Sequence, residues 1–117
     1  MSENIIKEKT YQFALKVVLV CKELISQKEY VLSRQLLRSA TSIGANVEEG
    51  IQGQSKVDFI HKFSIAQKEA FETHYWLRLL RDSGYLNKEN SNQLLSDCEE
   101  IQKIITAILK TSKSNIK

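Results

Sequence analysis

Apolar residues recur along most of this chain at spacings of three and four, the period of helices that bury one side. A first helix is expected from about residue 4 to 27. Its stripe runs Ala14, Val17, Val18, Cys21, Leu24 and Ile25, and Tyr11 extends it toward the N-terminus. Phe13, Leu19 and Val20 widen that stripe beyond one face, which implies a central position or a second partner. A second helix is expected over 33–49, with Leu36, Leu37, Ala40, Ile43, Gly44 and Val47 inward. Gly50 would end it by taking the left-handed conformation. Ser55 is placed to cap a third helix over 56–82, with Asp58 three residues on in a near capping-box arrangement. Its stripe is Phe59, Phe63, Ala66, Ala70, Thr73, Leu77 and Leu80. Gly84 supplies the next stop, with Tyr85 and Leu86 as the apolar clasp beyond it. A fourth helix over 88–111 carries Leu94, Leu95, Cys98, Ile101, Ile104, Ile105, Ile108 and Leu109.

The segment from Arg38 to Gly50 stands apart by its small residues. On a helix Ala40 and Gly44 align, as do Thr41 and Ala45, so two small-residue rows run along neighbouring faces. Such rows let backbones approach closely, as in the crowded inner helix of a bundle. Helices of this length span roughly 33–40 Å at ~1.5 Å per residue, which suits antiparallel packing through short loops. The expected architecture is all-α, an antiparallel up-down four-helix bundle in a single domain over residues 1–117.

Composition narrows this further. Proline is absent and only four glycines occur, too few turn residues for a β-sandwich or barrel of this size. The formal charge of +3 permits contact with a polyanion without demanding it. Cys21 and Cys98 are far apart and sit at apolar helical positions, as a reduced core pair would. The run Val17–Cys21, bracketed by Lys16 and Lys22, is far too short to span a bilayer, and the polar start carries no secretory pattern. No membrane association and a cytoplasmic location are the expectation.

Candidate chemistry is thin. A di-metal bundle needs Glu-x-x-His on two helices, whereas only Asp58–His61 approximates that spacing, once, at a helix start. Glu72 and His74 lie on different faces. The cysteines lack zinc spacing, and no phosphate loop is present. No cofactor, metal or catalytic constellation is expected. The polar pairs Asn46/Glu49 and Glu69/Glu72 should come to similar heights on packed helices. With Ser39, Ser42 and Thr73 they form an expected structural polar network. An acidic catalytic pair is the alternative reading of the same residues. The basic residues Lys16, Lys22, Arg34, Arg38, Lys62, Lys68, Arg78 and Arg81 form a pool from which a phosphate-binding face could be drawn. Lys110, Lys113 and Lys117 add an acid-free basic tail. Several copies side by side would multiply a modest patch.

The stretch Arg34 to Gly50 resembles the Arg-Ser-Ala-x-Ser-Ile-x-x-Asn-x-x-Glu-Gly signature of the 23S ribosomal RNA intervening-sequence protein family. The similarity continues through Ser55, Asp58-Phe59, Phe63-Ser64-Ile65-Ala66, Glu69-Ala70, Glu72-Thr73, Leu79-Leu80 and Ser83-Gly84-Tyr85-Leu86, covering about Tyr11 to Leu109. Two positions depart from it: Gly44, where relatives often carry proline, and Glu48, where a small residue is common. The resemblance implies a left-handed four-helix bundle that assembles into a ring-shaped homo-oligomer, a pentamer in known relatives. Some members are encoded within intervening sequences of large-subunit ribosomal RNA genes. A more distant relative, the accessory protein of diversity-generating retroelements, resembles a positively charged barrel that binds nucleic acid and a reverse transcriptase. For most members no biochemical activity is established, so the resemblance carries fold directly and function only by association. The expected role is a non-enzymatic, self-associating scaffold that binds RNA or DNA through its phosphates. The alternative is a protein-interaction module without nucleic acid, using its excess apolar faces to bind itself or another protein; the distant resemblance adds a reverse transcriptase as a partner to expect.

Overall fold

Four helices account for the chain in a computed structural model that describes residues 2–115: α1 (Ser2–Ser26), α2 (Val31–Ile51), α3 (Lys56–Asp82) and α4 (Lys88–Ser114). Short connections force successive helices antiparallel, giving an up-down-up-down bundle of 50 × 21 × 19 Å. Contacts run α1–α2, α2–α3, α3–α4 and α1–α4, so α1 and α3 occupy opposite corners, as do α2 and α4. α1 and α4 touch least. Lys117, the last lysine of the basic tail, lies outside the described residues.

The core follows the expected stripes on α2, α3 and α4. α1 is different. Its buried row is Ile6, Thr10, Phe13, Val17, Cys21 and Leu24, while Tyr11, Val18 and Ile25, expected inward, are exposed. Phe13, read as widening the stripe, is core. α1 is apolar on two faces, and period alone does not choose between them. The fit against α2 does: Thr10 meets Gly44, where an added Cβ would lie 3.3 Å from Thr10 Oγ1. The Thr10 hydroxyl donates to the Ile6 carbonyl at 2.8 Å, which makes a polar group tolerable at full burial. Of the two small rows on α2, Ala40/Gly44 is buried, whereas Thr41 is half-buried and Ala45 exposed.

The helix ends explain the boundaries. α1 stops in a Schellman motif: Glu29 N–H donates to Leu24 O and Lys28 N–H to Ile25 O, both at 2.9 Å. The left-handed position is held by Lys28 at φ 65°, without a glycine to mark it. α2 starts two residues before the expected Ser33 because the buried Glu29 carboxylate accepts from Leu32 N (3.1 Å) and Ser33 N (2.8 Å). The expected stop at Gly50 is not made. Gly50 lies inside α2, which runs on to Ile51 and is closed by Gln52 N–H donating to Glu48 O at 3.1 Å. Its missing side chain serves packing instead, because a Cβ there would stand 2.9 Å from Phe63 Cδ1. α3 keeps both expected ends. Ser55 accepts from Asp58 N at 3.1 Å, and Gly84, at φ 88°, completes a second Schellman motif through Tyr85 N–H to Leu80 O at 3.0 Å. Leu86 packs on the core beyond it, while Tyr85 stays exposed. Asn87 caps α4, which continues three residues past the expected end.

Candidate functional site

The antiparallel register of α2 and α3 decides what the polar residues of these helices can do together. Each step toward the end of α2 is a step toward the start of α3, so Gly50 meets Phe63 while Arg38 reaches Glu69 and Glu72. Asn46 and Glu49 therefore do not lie at the height of Glu69 and Glu72, and the expected single network divides into three.

The mid-bundle part is the most enclosed. Arg38 Nη1 donates to Glu69 Oε1 at 3.3 Å, and its Nη2 pairs with Glu72 Oε2. Glu69 is 9% exposed as a residue. Trp76 Nε1 donates to the same Glu72 oxygen at 3.1 Å. Below them Thr73 Oγ1 lies 2.8 Å from the Glu69 carbonyl and 2.9 Å from Ser39 Oγ, both residues fully buried. When the single Thr73 proton goes to the Glu69 carbonyl, the Ser39 hydroxyl donates to Thr73 Oγ1; when it goes to Ser39 Oγ, the Ser39 proton turns to Leu36 O at 3.3 Å. The second part is local: Asn46 Nδ2 donates to Ser42 O (2.9 Å) and Ser42 Oγ (3.0 Å). The third is a surface pair of Glu49 with Lys62 at 2.9 Å. Among the described residues no buried side-chain nitrogen or oxygen lacks a partner. The acids face a guanidinium and an indole N–H, which occupy their oxygens as hydrogen-bond acceptors.

The pool of basic residues divides as well. Lys16 pairs with Asp97 (3.0 Å), Arg38 with Glu69 and Glu72, Lys62 with Glu49, and Arg81 with Asp82 (2.8 Å). Arg81 also donates to Asn92 at 3.0 Å. The Arg81 hydrogen bond holds the Asp82 carboxyl below the usual carboxylate range. Lys22, Arg34, Lys68 and Arg78 pair with no carboxylate among the described residues, but they lie on three helices. Arg78 stacks over Tyr75 at 5.7 Å and donates to His74 Nδ1 at 3.1 Å. One chain thus does not gather the eight into a common face.

α4 adds basic residues outside that pool. From Ile101 onward the chain contains no acid, and Lys103, Lys110 and Lys113 are exposed on that helix with no carboxylate partner among the described residues. The signal was present as the acid-free tail, but Lys103 was outside it. An unanticipated groove of about 840 Å³ also opens where α1 begins, α2 turns into α3 and α4 ends. Ile5, Ile51, Phe59, Ile104 and Ile108 line it, and the Lys9–Glu100 pair at 3.2 Å crosses its edge.

His74 Nε2 lies 2.8 Å from Glu99 Oε2, and no three metal-ligating side chains converge among the described residues. Both cysteines are free and buried. Burial pushes the Cys21 thiol up to about 11, helped by the Glu29 charge, and the Cys98 thiol up to about 12, helped by Glu99 and Asp97. Neither thiol is a thiolate near neutral pH, the form needed for attack or ligation. No helix among the described residues is long and apolar enough to cross a membrane.

These features define an all-α bundle whose interior polar groups and acids are satisfied by one another. The chain belongs to the 23S rRNA-intervening sequence protein family, whose model matches residues 2–107. It is similar, at 47% identity and a TM-score of 0.92, to the crystal structure of a protein of unknown function from the S23 ribosomal protein family of Bacteroides thetaiotaomicron. That similarity covers 94% of this chain and 99% of the other. No curated protein matches the chain.

Proposed function

We propose that the protein is a non-enzymatic scaffold that assembles with copies of itself and holds RNA or DNA by the phosphate backbone. The observation that carries the nucleic-acid half is the acid-free end of α4, where Lys103, Lys110 and Lys113 stay exposed and meet no carboxylate among the described residues. Unpaired surface lysines displace condensed counterions from phosphates, and repetition of the same helix in several copies multiplies a field that one chain makes only weakly. Lys113, in the last turn of α4, also complements the helix dipole. That role alone would leave nucleic acid unbound. The paired acids around Arg38 and the unreactive thiols support the non-enzymatic half.

The test is retention of a labelled single-stranded RNA and a duplex DNA by the purified protein across a salt series. Binding should be strongest at low salt. Changing all three α4 lysines to glutamate should flatten the dependence on log salt by about one unit per lysine. Absence of retention at low salt rejects the phosphate reading.

A protein-interaction module without nucleic acid is the second reading, supported by the exposed apolar residues of α1 and α3. Self-association with no salt-dependent retention would select it.

A further inference from the structure

The outer faces of α1 and α3 carry the same pattern with opposite charge. On α1 the order is Glu8, then Tyr11, Leu15 and Leu19, then Lys22. On α3 it is Lys68, then Phe71, Tyr75 and Leu79, then Asp82. The internal spacings are identical, and fourteen residues separate the two charges on each helix, about 21 Å at ~1.5 Å per residue. All ten side chains are exposed, with Leu19 at 66% and Phe71 at 59%. Lys22 and Lys68 pair with no carboxylate among the described residues. Among the described residues Glu8 accepts only from its neighbour Gln12 at 2.9 Å, and Asp82 holds Arg81 on its own helix while remaining 65% exposed. α1 and α3 stand at opposite corners, so these faces point away from each other and cannot meet within one chain.

We propose that the outer face of α1 in one copy packs parallel and in register against the outer face of α3 in the next, pairing Glu8 with Lys68 and Lys22 with Asp82 around the two apolar triplets. The occupant is a second copy because the complementary face is on this chain. Parallel alignment follows from charge: turned end for end, Glu8 would face Asp82 and Lys22 would face Lys68, a juxtaposition of like charges. α1 and α3 run in the same direction within the bundle, so successive copies are related by rotation about an axis along the helices. Such a head-to-tail contact closes into a ring when the rotation permits. A two-fold contact of α1 with itself would also oppose Glu8 to Lys22, but it would leave the α3 triplet uncovered. One head-to-tail contact type covers both rows. The same assembly leaves α4 of every copy uncovered on one surface, which brings its lysines into a repeating array.

This inference rests on the self-assembly half of the function proposed above, and charge swaps separate the two. The full chain is sedimented over a concentration series as wild type and in three variants. One carries Glu8→Lys with Lys22→Glu, one carries Lys68→Glu with Asp82→Lys, and one carries all four changes. Each two-residue swap should raise the concentration needed for assembly by at least about tenfold, through like-charge contact at both ends of the interface. The four-residue variant should return to wild-type behaviour. A two-fold α1 contact predicts instead that the α1 swap has no effect, and that result overturns the inference. Helical content measured alongside keeps unfolding from imitating the effect, and Leu19→Glu, at an exposed position, should also disperse the assembly. A monomeric wild type at micromolar concentration rejects self-assembly and the inference together. An assembled wild type indifferent to the swaps rejects the inference alone.

Discussion

Gly50 presses its backbone against Phe63: a Cβ on the glycine would lie 2.9 Å from Cδ1 and 3.0 Å from Cε1 of a ring that is fully buried and stacked on Phe59 at 4.2 Å. The ring cannot move away without disturbing that stack. Gly50→Ala gains helix propensity but overpacks the α2–α3 contact, a change that typically costs about 1–3 kcal/mol. Urea unfolding should show a net loss of about 1 kcal/mol or more. A variant as stable as wild type would mean that the contact yields easily.

Two helix stops share the same backbone hydrogen bonds with a different residue at the left-handed position, Lys28 after α1 and Gly84 after α3. Left-handed backbone costs an ordinary residue about 1 kcal/mol that glycine avoids. Lys28→Gly should therefore raise the unfolding midpoint and Gly84→Ala should lower it. Thermal melts of both variants give the comparison, with the two shifts opposite in sign.

Glu29 does the work of a helix cap from an unusual place. Its carboxylate takes the Leu32 and Ser33 N–H groups, and Ser33 Oγ donates to the Glu29 carbonyl at 2.8 Å. Glu29→Ala strands two amide donors at a buried turn, with an expected loss of about 1–2 kcal/mol in chemical denaturation. Glu29→Gln retains one acceptor and should fall between the two.

Arg34 and Arg38 stand one turn apart on α2, yet only Arg38 meets acids. Arg38→Ala leaves the buried Glu69 without its cation and should lower stability by about 1 kcal/mol, discounted for the half-exposed guanidinium. Arg34→Ala should be silent in the same unfolding assay. Equal effects would show that the Arg38 pairs contribute nothing beyond an exposed charge.

The two thiols give stability a pH dependence on the alkaline side. Their folded values, about 11 for Cys21 and about 12 for Cys98, lie above the ordinary value of 9.0. The unfolded chain loses these protons first, so the contribution is whole below pH 9 and is lost as pH rises through 11 to 12. Unfolding free energy of wild type should therefore fall more steeply above pH 9 than that of a Cys21→Ala, Cys98→Ala variant. Native protein should also resist thiol alkylation at neutral pH until denatured.

Much of the fold is legible because it depends on local period and end signals. The stripes of α2, α3 and α4, the Ser55 cap and the Gly84 stop each involve residues within a turn or two of one another. Where two local solutions compete, the sequence is silent. α1 offers two apolar faces, and Lys28 and Glu29 end one helix and begin the next without the usual residue types. The candidate site was legible as residue types but not as partners. Asn46, Glu49, Glu69 and Glu72 are expected to meet in one polar network, yet pairing across α2 and α3 separates them.

The sequence by itself determines four amphipathic helices, their order, the short links that make them antiparallel, and the motif that marks the family. These follow from interactions between neighbours along the chain. Tertiary structure alone decides that Gly50 is a contact rather than a stop, that Arg38 pairs with Glu69 and Glu72, and that the apolar rows of α1 and α3 face outward from opposite corners. Each depends on which side of a helix meets another and at what height. That choice is made by steric fit and charge pairing between segments distant in sequence, which no local pattern contains.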